Sequence, residues 1–84
     1  MVKQEPNKTL MMLEKISTED LLEIAQDWAD AKYDGHLTIM KFTTNWRAVF
    51  GPTPDSREEI KNMMPGESLR DVLISILRTE GFPC

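Results

Sequence analysis

The sequence predicts a small single-domain α+β fold in the order helix, β-hairpin, short helix, helix. Three observations carry that expectation: a capped helical repeat over about residues 18–34, a β-rich run interrupted once between 37 and 50, and a second capped repeat over 68–80. The 84 residues leave room for one domain, placed at 9–84, close to the size below which a single core stabilises only marginally. Apolar residues make up 40% and charged residues 29%, which suits a chain that folds rather than a disordered one.

Residues 1–8 mix charge with Pro6 and Asn7 and read as a disordered N-terminal lead-in. Leu10, Met11, Met12, Leu13 and Ile16 form a short apolar run that fits one or two helical turns or an edge strand, with the helix favoured. Ser17-Thr18-Glu19-Asp20 then starts a helix, because a capping hydroxyl accepts from the free amides and carboxylates complement the first-turn dipole. Leu21, Ile24, Ala25, Trp28 and Ala31 recur at helical spacing, and Gly35 supplies the stop. The opposite face carries Glu23, Asp27, Asp30 and Asp34, an acidic stripe whose plain reading is a solvated face and whose functional reading is a docking stripe for a basic partner.

Leu37–Phe42 and Trp46–Phe50 are rich in Thr, Ile, Phe, Trp and Val and are joined by a linker short enough only for a hairpin, a two-stranded antiparallel sheet that dimerisation would extend. The linker lacks the Asn-Gly pair that fixes a turn type, so two registers stay open. A three-residue loop pairs Phe42 with Trp46; a two-residue loop pairs Thr43 with Trp46 and sets Leu37, Ile39, Lys41, Trp46, Ala48 and Phe50 against Met40, Phe42, Arg47 and Val49. Either register leaves a second face with several large apolar residues. Gly51-Pro52-Thr53-Pro54 cannot continue a strand in a sheet interior, and Asp55 or Ser56 with Glu58 or Glu59 is a capping-box pattern for a short helix to about Met63 that Pro65-Gly66 ends. Ser68 and Asp71 cap a last helix whose Leu69, Val72, Leu73, Ile76 and Leu77 form one apolar stripe, closed by Gly81 with Phe82 placed for the apolar contact of a Schellman ending.

Little in the chain points to chemistry. His36 is the only histidine and has neither a partner nucleophile nor nearby ligands at metal spacing, so no catalytic residue, metal or cofactor is expected, and the chain is not expected to be an enzyme. A small enzyme or ligand-binding protein would need a pocket around His36, Tyr33 and nearby carboxylates. Phosphate-binding glycine loops, nucleophile elbows and EF-hand spacing are absent from the sequence. Cys84 is the single cysteine, which excludes an intramolecular disulfide and leaves a free thiol or an intermolecular bridge. With a net charge of −4 and no run of about 18 apolar residues, the expectation is a cytoplasmic chain that neither spans nor binds membranes and for which nucleic acid is a poor partner.

Residues 57–78 still have the outline of a helix-turn-helix, the alternative reading, which needs Arg47, Arg57, Arg70 and Arg78 on one surface. A double-stranded RNA-binding fold also begins with a helix and antiparallel strands, but it calls for a third strand and a basic surface that the sequence does not announce. The favoured function is a non-enzymatic protein-interaction or regulatory module that self-associates through the hairpin as a homodimer, with Lys41, Phe42, Trp46, Arg47 and Val49 as contact residues. Trp46 reads first as a core residue and second as an interface anchor, whereas Arg47 is expected to be exposed near Lys41, so that Arg47→Glu disturbs association more than folding. Met63, Met64 and Ile74 fall off the main stripes and are further contact candidates.

Overall fold

Ser17 opens α1 (Thr18–Lys32) as its pattern requires, its hydroxyl accepting from the Asp20 amide at 3.2 Å. The computed structural model describes residues 12–83; the lead-in at 1–8, the first residues of the apolar run and Cys84 lie outside that range. The described part of the run, after Met12, is a 3-10 turn at Leu13–Lys15. Helix α1 ends two residues earlier than its spacing suggests, because Asp34 and Gly35 both adopt the left-handed region (φ 56° and 83°) and the Gly35 amide turns back to the Ala29 carbonyl. The buried face is Leu21, Ala25, Trp28 and Ala29, so Ala29 takes the place expected of Ala31, and Ile24 is only half-buried.

The hairpin forms from β1 (Leu37–Lys41) and β2 (Trp46–Phe50), in neither of the two expected registers. Leu37 pairs with Phe50, Ile39 with Ala48 and Lys41 with Trp46, and the Phe42 amide closes the loop on the Asn45 carbonyl at 2.7 Å. Thr43 and Thr44 form the tip, and the turn they make is not a primed one. Primed two-residue turns need positive φ, which β-branched residues resist, and no residue of this loop adopts it. The pairing nevertheless keeps the parity of the second expected grouping: Leu37, Ile39, Trp46, Ala48 and Phe50 share the inner face, and Thr38, Met40, Arg47 and Val49 the outer one.

Pro65-Gly66 does more than end a helix. Helix α2 stops at Lys61 (Arg57–Lys61), and Met64–Gly66 form β3, antiparallel to β2, so the sheet has three strands in the order β1-β2-β3. Proline is tolerated because Pro65 lies opposite Arg47, whose backbone faces β1; its absent N–H would have pointed away from β2. Gly66 is required for another reason: a Cβ there would lie 2.6 Å from the Val72 backbone nitrogen at the start of α3 (Leu69–Thr79).

Ser68 caps α3 through the Asp71 amide at 3.1 Å, and its stripe is buried as expected at Val72, Leu73, Ile76 and Leu77. The helix ends in a Schellman motif: Gly81 (φ 98°) donates to the Arg78 carbonyl and Phe82 to Leu77, with the Phe82 ring buried edge-on against Trp28. Helix α3 packs on β2 and β3, and α1 packs on α3 with a smaller contact to β1. The two ends of the described chain are tied to this layer, since Leu13 is fully buried and its amide donates to the Pro83 carbonyl at 3.1 Å.

Candidate functional site

The hydrogen-bond phase of the hairpin is fixed at both ends. Gly51 donates to His36 and Phe42 donates to Asn45, so residues 36, 38, 40 and 42 direct their backbone groups toward β2. The amides and carbonyls of Leu37, Ile39 and Lys41 therefore point out of the sheet. Among the described residues no strand pairs with that edge and no backbone group bonds to it.

The five expected contact residues do not share one surface. Phe42, Arg47 and Val49 belong to the outer face, with Phe42 exposed at its tip; Lys41 and Trp46 belong to the inner one. Trp46 is half-buried against the core, and the Lys41 ammonium sits over its ring at 5.8 Å from the centroid. Arg47 is not free beside Lys41: its guanidinium donates to the carbonyls of Ile60, Lys61 and Met63 at 3.3–3.5 Å and so caps the end of α2. Part of the outer face is thereby met by the chain's own segment. Met63 is buried and Met64 and Ile74 pack on the core, so these three are internal.

The acidic residues divide along α1. Glu23 and Asp27 join Asp20 in lining a groove of about 580 Å³, together with Ile16, Ile24, the exposed Met12 and Lys15. That volume is in the range of about 300–1,000 Å³ typical of ligand clefts. Asp30 and Asp34 lie farther along, exposed; the Asp30 carboxylate approaches the position a Cβ on Gly35 would take, at 3.4 Å.

A third feature had no sequence signal. Glu80, at the end of α3, accepts from the Trp28 indole at 2.9 Å and from the Tyr33 hydroxyl at 2.9 Å on each oxygen. The Tyr33 ring stacks on Phe50 at 5.1 Å, and the Glu80 carboxylate raises the Tyr33 pKa above its ordinary 10.0, with burial adding to the effect. Beside them is a cavity of about 120 Å³, lined also by Val49, Met64 and Ile76, which His36 does not reach. His36 is an exposed corner whose amide donates to the Tyr33 carbonyl.

Arg70 and Arg78 lie against different segments of the chain. Arg70 donates to the carbonyls of Ile16 and Glu14, the latter at 2.8 Å, while Arg78 lies beside Ser75 and Thr79 near the end of α3. Helices α2 and α3 are separated by β3, so 57–78 is helix, strand, helix rather than helix-turn-helix. The third strand that the RNA-binding outline calls for is present. Among the described residues no helix is long and apolar enough to cross a membrane, and no three His, Cys, Asp or Glu side chains converge as metal ligands. Comparison with known protein families, with curated proteins and with solved structures finds no match to this chain.

Proposed function

We propose that the protein is a small non-enzymatic interaction module that self-associates through its hairpin. The observation that carries this reading is the outer edge of β1, where Leu37, Ile39 and Lys41 present backbone donors and acceptors beside the half-buried Thr38 and Met40 and the exposed Phe42. Open edges template pairing with another strand. A two-fold axis at Ile39 places Ile39 opposite its copy and Leu37 opposite Lys41 of the other chain, with two hydrogen bonds per pair. Like charges then do not face each other, and the three-stranded sheet becomes six-stranded with both inner faces covered by helices.

The test is sedimentation across micromolar concentrations with reducing agent present, which removes any Cys84 bridge. The unaltered chain is expected at twice its 9.7 kDa mass. Ile39→Pro, whose lost N–H makes no bond within the sheet, is expected as a folded monomer by circular dichroism. A single-chain mass at every concentration for the unaltered protein rejects the reading.

A further inference from the structure

A polar groove and a small, largely apolar cavity adjoin along the second half of α3. The groove, of about 400 Å³, is lined by Met64, Ser75, Arg78 and Thr79, and the cavity, of about 120 Å³, has Tyr33, Val49, Phe50 and Ile76 in its wall. The two share Met64 and Thr79. Ser75, Arg78 and Thr79 fall at i, i+3 and i+4, so α3 brings them to one face. Among the described residues neither the Arg78 guanidinium nor the Ser75 hydroxyl has a hydrogen-bond or ion-pair partner, while the Thr79 hydroxyl donates to the Ile76 carbonyl at 2.6 Å. A cation in the last turn complements the helix dipole, but that role asks for neither the hydroxyl beside it nor the hollow.

We propose that this cleft binds a small monocarboxylate with a compact apolar tail. The guanidinium offers a fork of donors that matches a carboxylate, and the Ser75 hydroxyl adds a third donor one helical turn away. An apolar cavity of about 150 Å³ takes a benzene ring, so one of about 120 Å³ takes a branched tail of roughly three or four carbons. The charges fix the direction of entry. Glu80 lines the cavity, its carboxylate accepting from the Trp28 indole and the Tyr33 hydroxyl, so the negative end of the cleft receives the tail and the positive end, at Arg78, receives the head. None of the lining residues belongs to β1, so the site is separate from the edge proposed for pairing.

NMR titration of the amide signals with isovalerate at constant ionic strength tests it. The signals of Met64, Ser75, Arg78 and Thr79 are expected to shift saturably, with dissociation in the millimolar range for a ligand of so few atoms. Isovaleramide, which lacks the charge, and acetate, which lacks the tail, are each expected to bind at least about tenfold more weakly. Arg78→Gln is expected to weaken isovalerate about tenfold and Ser75→Ala about threefold, whereas Arg57→Gln, the same charge loss on α2, costs less than about twofold. Arg57 and Arg78 are exposed, and the dispersion of the same spectra reports whether each variant is folded. No saturable shift in the unaltered chain up to about 50 mM isovalerate overturns the proposal. So does acetate binding as tightly as isovalerate, which leaves the cavity unused. Equal losses in Arg78→Gln and Arg57→Gln reduce the effect to net charge and overturn it too.

Discussion

Glu80 holds the ends of α1 and α3 together through two side chains more than forty residues away in sequence, Trp28 and Tyr33. Hydrogen bonds to an ionised carboxylate exceed neutral ones, so Glu80→Gln is expected to lower stability by about 1–2 kcal/mol in urea unfolding. The linkage with pH has a definite sign. The Tyr33 pKa is raised in the folded chain, so its stabilising contribution is complete below the ordinary value of 10.0 and declines as pH rises through the raised one. Melting temperature is therefore expected to fall above about pH 10, and more shallowly in Tyr33→Phe, which keeps the stacking on Phe50. Parallel alkaline limbs for the two proteins would contradict this. Arg47 and Arg70 also act at this scale. Because Arg47 caps the carbonyls that end α2, Arg47→Glu is now expected to loosen Ile60–Met63, seen as faster amide exchange there, before it affects association. Nothing in the spacing around Glu80 or Arg47 announced these partners, since both bonds join positions that only the folded chain brings together.

Elements with local signals were legible and those defined by their neighbours were not. The caps at Ser17 and Ser68 and the ending at Gly81-Phe82 are where the sequence placed them, and Ser56 is the cap of the two candidates Asp55 and Ser56, because each is a contact within five residues. Strand β3 escaped notice because Met-Pro-Gly has the composition of a breaker; it is a strand only because β2 lies beside it with the phase that spares Pro65 its N–H. The hairpin register was missed since two threonines specify no turn; the observed closure at Phe42 and Asn45 is shifted by one residue from the first expectation, which flips the faces, and by two from the second, which keeps them. Gly66 brings the β3 backbone close to the start of α3. Gly66→Ala is expected to force β3 from α3, costing about 2 kcal/mol and about 10 °C in melting temperature. A variant melting with the parent would show that the approach relaxes freely.

At the scale of the whole molecule, two surfaces stand out and the sequence outlined each of them incompletely. The surplus of apolar residues on the hairpin was visible without the register, but the β1 edge, unpaired among the described residues, follows from strand order and hydrogen-bond phase, which composition does not encode. The acidic stripe was visible too, whereas the groove beside it is completed by Met12, Lys15 and Ile16 from the turn before α1. The third strand is accompanied by a net charge of −4 and by two arginines, Arg47 and Arg70, that donate to the chain's own carbonyls. Duplex RNA is accordingly expected not to bind at physiological salt in a mobility-shift assay.

The central claim, that β1 edges pair between copies, is tested most directly by amide hydrogen exchange along Leu37–Lys41 at low and high protein concentration. Thr38 and Met40 are expected to be protected at both, as partners of β2, while Leu37, Ile39 and Lys41 gain protection only at high concentration. Rapid exchange of those three amides at every concentration would contradict it.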